Sequence, residues 1–489
     1  MSQEENDNNN SLTLKKKTAQ GLFWGGVSNF IVQILGAAFG IVLARLLNAD
    51  EYGLIGILTI FTVLSSTLIN CGFSTALVNK KNATSNEYNS VFWFSLSIAV
   101  LLYIILFFCA PLIASFYNKP ELIPVSRVLF LSFIFSGISI TPNTILFKAM
   151  RVKTQAKIDI TSIILAGVTG IILAYKGLSY WALVTQSVTF ISSGAILRLI
   201  IVPWWPKLKF DFNPIKELSG FSSKILLSTI IAQVYSNFFH IILGKLYNTT
   251  VLGYYSQGHK WMWMANSVIG GMINNIVQPL MVEVNDDKTR MSRIFCKMLR
   301  MASFVSFPAF IGLAYISKEF IQVALGDKWL QSALFLQILC AWAIINIFTN
   351  LFVHLIFSQG KSNYILYGTI LTGILLVLSV IISFLISKEV LFMVISFVIS
   401  YALSLIYWYL KSKKLIDITI VLFLKNILPY LLVSVIALCV SIFIISFLEN
   451  IYIILIVKIL SMASIYILLL FMLKSKLLLE SISLIKNKL

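Results

Sequence analysis

The chain has 489 residues, 58% of them hydrophobic and only 12% charged, with a mean hydropathy of +0.90. A water-soluble domain carries about 25% charged residues, so this composition excludes one, and no polar stretch is long enough to build a core of its own. The formal net charge of +19 does not indicate a nucleic-acid partner, because no basic domain exists to carry that function.

Residues 1–19, "MSQEENDNNNSLTLKKKTA", form a polar tail, expected to be disordered and cytoplasmic. The apolar segment that follows Lys15–Lys17 is a full span rather than the short core of a cleavable signal. Apolar runs then recur to residue 473, and a run of roughly 20 residues crosses a ~30 Å hydrocarbon core. Fourteen spans are expected, near 20–46, 53–79, 89–116, 123–147, 158–176, 180–202, 220–246, 254–281, 296–317, 331–358, 364–387, 389–410, 422–447 and 450–473. They read as helices, since a helix satisfies its own backbone hydrogen bonds in lipid and these runs are too long and uniform for barrel strands.

Alternate loops assigned to opposite faces divide the basic residues unevenly. One face collects 28 of the 38 Lys and Arg, including Arg290, Arg293 and Lys411, and the other holds seven, among them Arg45, Lys119, Lys245 and Lys328. The positive-inside rule then places both termini in the cytoplasm. The five cysteines show no metal-ligand or disulfide spacing and read as small packing residues.

The span 1 exit "LARLLNADEYG" (43–53) recurs 200 residues later as "LGKLYNTTVLG" (243–253). Extended back to Ile31, the two stretches share eight identities in 23 positions, among them Gln33 with Gln233, Asn48 with Asn248 and Gly53 with Gly253. Arg45 meets Lys245. Six spans separate them, so the halves read as parallel repeats, the arrangement some transporters use. The expected organisation is a six-helix lobe at 20–202, a cytoplasmic linker at 203–219, a second six-helix lobe at 220–410, two further helices at 411–473 and a cytoplasmic tail at 474–489.

Charge inside a span usually faces a cavity. Arg127, Lys260 and Lys458 fall within spans, whereas no Asp or Glu sits deep in one. Asp159 and Glu283 lie near expected cytoplasmic ends. Bases without acids suit an anionic cargo. Polar stripes at helical spacing are Thr62–Ser66–Asn70–Ser74 on span 2, Gln233–Asn237–His240 on span 7, Asn274–Asn275–Gln278 on span 8 and Asn346–Asn350–His354–Ser358 on span 10. Such stripes can bind sugar hydroxyls or join helices. His240 and His354 are candidates for proton coupling. No nucleotide-binding loop or zinc-ligand cluster is present, and no cofactor or metal is expected.

Several stretches resemble the Wzx-type polysaccharide flippases of the multidrug/oligosaccharidyl-lipid/polysaccharide exporter superfamily. They are "LARLLNADEYG", "FYNKPELIPVSRVLFLSFI" (116–134), "FKAMRVKTQAKIDI" (147–160), "LGYYSQGHKW" (252–261) and "ALGDKWLQSALFLQILC" (324–340). The resemblance covers residues 14–410. It implies an all-α integral membrane protein of about 14 transmembrane helices, in two parallel six-helix lobes plus two C-terminal helices, working by alternating access. It further implies a transporter, not an enzyme, in a bacterial or archaeal cytoplasmic membrane. The implied cargo is a polyprenyl-pyrophosphate-linked oligosaccharide, with membrane lipids, a polysaccharide polymerase and chain-length machinery as partners. Proton or sodium coupling stays open. Arg45, Arg127 and Lys260 take the substrate-binding role on this resemblance, and Lys245, Gln33, Gln233, Asn237 and Asn274 are further candidates. The rivals are a multidrug exporter or a lipid-linked peptidoglycan-precursor flippase of the same superfamily, and a membrane-embedded polymerase. The last would need a larger loop with paired carboxylates.

Overall fold

A computed structural model describes residues 2–80, 83–208, 210–283, 287–416, 418–445, 449–475 and 477–479. Its helices are α1 (Ser2–Leu46), α2 (Ala49–Asn70), α3 (Phe73–Asn79), α4 (Ser85–Tyr117), α5 (Leu122–Phe130), α6 (Ser132–Lys148), α7 (Val152–Tyr175) and α8 (Trp181–Ile201). They continue with α9 (Phe212–Leu246), α10 (Thr249–Glu283), α11 (Lys288–Leu325), α12 (Leu330–Ser358), α13 (Ser362–Ile386), α14 (Val390–Ile416), α15 (Ile420–Ile445) and α16 (Ile451–Met472). Twelve segments among the described residues are long and apolar enough to cross a membrane. The expected spans 7 and 8 correspond to α9 and α10, each of 35 residues.

Three boundaries differ from the sequence reading. Helix α1 runs from Ser2, so the polar tail continues the first helix; adding residues to an existing helix is far easier than nucleating one. Helix α11 runs to Leu325, beyond the hydropathy edge at 317, where Lys318, Glu319 and Gln322 lower the hydropathy of its last two turns without breaking the helix. Span 2 is two helices, since α2 stops at Asn70 and α3 starts at Phe73. Most of the expected tail at 474–489 lies outside the described residues.

The chain forms two compact units, Met1–Gly253 and Tyr254–Leu489. In the first, α1 packs on α7, α7 on α8, α4 on α6, and α9 on α2 and α4. In the second, α12 packs on α11 and α14, α13 on α14, and α15 and α16 both pack on α11.

The recurring Asn and Gly have physical roles. Asn48 caps α2, where its backbone N–H donates to the Glu51 carboxylate at 2.6 Å. Asn248 caps α10, its Oδ1 accepting from the Val251 N–H at 2.8 Å. Five residues beyond each cap is a glycine. A Cβ on Gly53 would lie 1.8 Å from the Thr249 carbonyl oxygen, and one on Gly253 would lie 1.8 Å from the Ala49 carbonyl oxygen. The two helix starts therefore cross backbone against backbone, reciprocally, as a local two-fold would place them. Thr249 Oγ1 also donates to Asp50, whose Oδ1 is 3.4 Å from Lys119 Nζ.

Candidate functional site: a polar chamber beside a broken helix

The break in span 2 falls at two consecutive residues with left-handed backbone, Cys71 (φ 47°) and Gly72 (φ 71°). Glycine adopts this conformation freely, whereas Cys71 does so against a steric penalty. Broken helices at membrane depth occur where the chain is buried in protein or lines a cavity.

A cavity of about 380 Å³ opens at this break. Ser66, Thr67 and Asn70 line it from α2, and Ser74 from α3. Helix α6 adds Ser136, Ser139 and Asn143, at helical spacing on one face. Asp159 and Ser162 enter from α7, and Gly194 and Arg198 from α8. Ser74 Oγ and Thr144 Oγ1 are 2.7 Å apart, and Gln155 Nε2 donates to Asn143 Oδ1 at 3.2 Å. Arg198 donates from Nη2 to Asp159 Oδ1 at 2.5 Å, while its Nε is buried without a hydrogen-bond partner. The chamber is thus rich in hydroxyl and amide groups and holds one ion pair. It can accept a neutral polar group such as a sugar, or water, without leaving a net charge in the membrane.

The span 2 stripe therefore faces a cavity at three of its four positions. The sequence reading missed Asp159 as a chamber residue and Arg198 altogether. The available signal was the run of Ser136, Ser139 and Asn143 on the facing helix.

None of the nine candidate site residues whose side chains are described lines this chamber. Arg45 is exposed in the last turn of α1. Lys245 Nζ donates to the Phe116 carbonyl at 2.5 Å and lies 4.3 Å from the Phe116 ring centroid. Arg127 stacks on Phe107 at 4.2 Å, with its Nε 3.5 Å from the Phe107 carbonyl oxygen. Gln33 and Gln233 are half-buried on α1 and α9. Asn237 Nδ2 donates to the Gln233 carbonyl at 3.0 Å, within its own helix. His240 is buried near the end of α9. In the second unit, Lys260 lies 5.7 Å from the Trp261 ring and His354 is half-buried on α12. The Asn274 side chain lies outside the described residues.

Among the described residues, two cations of these helices have acid partners. Lys458 Nζ donates to Glu319 Oε2 at 2.9 Å, and both side chains are only 13% exposed. Glu319 enters the membrane helix because α11 continues past residue 317. Arg198 of α8 meets Asp159 of α7 in the same way.

A family model described as "Polysaccharide biosynthesis protein" matches residues 42–334. The teichuronic acid biosynthesis protein TuaB of Bacillus subtilis (strain 168) is 25% identical over 366 residues, 74% of this chain and 75% of TuaB. The lipopolysaccharide biosynthesis protein WzxC of Escherichia coli (strain K12) is 22% identical over 360 residues, 72% of each chain. Among solved structures, the lipid II flippase MurJ in an inward closed conformation superposes with a TM-score of 0.75 at 13% identity, over 91% of this chain and 97% of MurJ. An inward-facing multidrug resistance MATE family transporter superposes with a TM-score of 0.63 at 14% identity, over 80% of this chain and 98% of the transporter. The fold is therefore that of an all-α membrane transporter, and with its model matched over more than half the sequence, this chain belongs to the polysaccharide biosynthesis protein family.

Proposed function

We propose that this protein is a flippase that moves a polyprenyl-pyrophosphate-linked oligosaccharide from the cytoplasmic to the outer leaflet for cell-surface polysaccharide biosynthesis. The observation that carries the reading is the chamber beside the Cys71–Gly72 break, lined by Ser66, Asn70, Ser74 and Asn143. Hydroxyl and amide groups inside a membrane helix bundle suit sugar hydroxyls, which can hydrogen-bond to both donors and acceptors. Family membership and relatives such as WzxC support the class of cargo.

Transport proceeds by alternating access between lobes at 20–202 and 220–410, with both termini cytoplasmic and the protein in the inner membrane. Arg45, Arg127, Lys260 and Lys245 supply positive charge for the pyrophosphate, assisted by Gln33, Gln233, Asn237 and Asn274. His240 and His354 are the proton-coupling candidates. No step of this mechanism requires a covalent intermediate, so the protein acts as a transporter rather than an enzyme.

Deleting the gene tests the reading. A lipid-linked repeat unit should accumulate on the cytoplasmic leaflet, and the intact chain should restore surface polysaccharide. Accumulation of unmodified carrier lipid, or of repeat units already on the outer leaflet, would assign the protein to another step.

A further inference from the structure

The stretch that joins α8 to α9 reads "VPWWPKLKFDF" (202–212). Its two prolines fix φ and remove two backbone donors, and its described residues before Phe212 belong to no helix. A chain without a ladder must place its backbone polar groups elsewhere, and the first turns of α4 receive them. The Lys207 N–H donates to Asn89 Oδ1 at 3.1 Å, and the Lys207 carbonyl accepts from Trp93 Nε1 at 2.8 Å. The Asp211 N–H donates to Ser90 Oγ at 3.4 Å, and its carboxylate accepts from Asn86 Nδ2 at 3.1 Å. Asn86, Asn89, Ser90 and Trp93 share one face of α4 by their helical spacing. Asn89 and Ser90 are buried, so a strap that lifted away would leave their polar groups unpaired at a cost for each. The segment is therefore fixed to the first unit.

The fixed backbone sorts the side chains. Val202 is buried with Leu146 and Ile158, and the Trp204 ring meets Phe92 edge-on at 5.7 Å. Trp205, Leu208, Phe210 and Phe212 face outward, 62%, 91%, 53% and 60% exposed. Lys207 is exposed among them. Exposed apolar clusters of this kind mark interaction surfaces, and the strap to α4 keeps these side chains from turning inward. The position of the patch says what covers it. Helix α8 crosses the membrane and ends at Ile201, and the span of α4 begins at Ser85. The segment starts one residue past α8 and lies on the first turns of α4, so it runs along the membrane boundary and not through bulk water. Aromatic residues favour that boundary, and a lysine stem can cross it to bring its charge to the headgroups.

We propose that residues 202–212 form an interfacial anchor, with Trp205, Leu208, Phe210 and Phe212 inserted between headgroups and acyl chains in the leaflet where α8 ends. Lys207 lies among the lipid phosphates. The partner is the lipid surface itself, which an apolar, partly basic segment binds through its buried apolar area. The anchor is independent of the cargo, and it holds the joint between α8 and α9 in the plane of that leaflet.

Depth-dependent quenching in the full chain tests the anchor. Leu208→Cys and Phe210→Cys are labelled with a nitrobenzoxadiazole dye and reconstituted in phosphatidylcholine liposomes, with the intact chain as the labelling blank. Phe108→Cys, at an exposed apolar position of α4, is the lipid reference. Lys413→Cys, exposed in the last turn of α14, is the water reference. With phosphatidylcholine brominated near the headgroup end of its acyl chains, the labels at Leu208 and Phe210 should be quenched to within about twofold of the lipid reference. They should also emit to the blue of the water reference. Quenching and emission that match Lys413→Cys would overturn the proposal. So would labels that read water in liposomes of the pure protein while the same cysteines resist a soluble maleimide in native vesicles, since the patch would then belong to a protein partner. A second measurement needs no label. Trp205 is one of ten tryptophans, and Trp205→Phe should lower the share of intrinsic emission that brominated lipid quenches. An unchanged or larger share would overturn the anchor.

Discussion

Arg198 and Asp159 meet across the seam of α7 and α8, 39 residues apart in sequence, with Nη2 donating to Oδ1 at 2.5 Å. Their side chains are 17% and 36% exposed, so the pair sits between the regimes of surface and buried ion pairs. Arg198→Ala or Asp159→Asn should each destabilise the protein by about 1–3 kcal/mol, less than a fully buried pair because water screens Asp159. The double variant Asp159→Asn with Arg198→Gln should recover most of that loss. Thermal unfolding in detergent reads the stability. If the chamber takes part in transport, flipping per inserted molecule should stay low in the double variant, whereas a purely structural pair would let it recover.

The reciprocal glycines make a steric prediction. A methyl group at Gly53 or Gly253 meets a backbone carbonyl that no rotamer change can move. Overpacking typically costs ~1–3 kcal/mol and sometimes more, and a backbone clash belongs at the upper end. Gly53→Ala and Gly253→Ala should each sharply reduce the folded fraction extracted from membranes. Gly26→Ala, where nothing lies within 4 Å of the added carbon, should leave it unchanged. Fluorescence-detected size-exclusion chromatography distinguishes the three.

Lys458 and Glu319 join α16 to α11, and Lys458 also lies 4.3 Å from the Tyr315 ring and 3.2 Å from its carbonyl oxygen. Removing one partner of a buried pair costs about 3–5 kcal/mol, whereas replacing both with apolar groups of similar size is often neutral. Glu319→Gln and Lys458→Met should therefore each lower the melting temperature clearly. Glu319→Met with Lys458→Met should approach the intact chain. A double variant no more stable than either single would place the value of these residues outside their pairing.

Topology is open to direct measurement. The basic asymmetry predicts that reporter fusions at Lys119 and Lys328 read as external and fusions at Lys209 and Lys413 as internal. Inverted readings at both members of either pair would reject the orientation.

The helices were legible because uniform apolar runs allow little else in lipid, and the two Asn–Gly helix starts were legible because caps and close crossings accept few residue types. Asn48 and Gly53 stand out for that reason, as do their partners at 248 and 253. The ion pairs were not legible. Hydropathy averages along the chain, so it ended span 9 before Glu319 and passed over Arg198 inside span 6, while each partner lies on another helix. The Cys71–Gly72 break is hidden similarly, since "LINCGFSTALV" carries no charge and no proline to mark it. Ser66, Asn70 and Ser74 were visible as a stripe; the cavity they face depends on α6, α7 and α8, which no local pattern specifies.

The crossing of Gly53 with Gly253 also bears on how the protein is made. Its two strands of backbone are separated by 200 residues, so the start of α2 waits for the start of α10 to be synthesised. At ~5–20 residues per second this interval is roughly 10–40 s. During that time the first six spans reside in the bilayer with the carbonyl of Ala49 and the bare face of Gly53 uncovered. A nascent chain stalled before residue 249 should thus present a surface open to membrane chaperones and proteases, and that surface closes when the second repeat reaches its first turn.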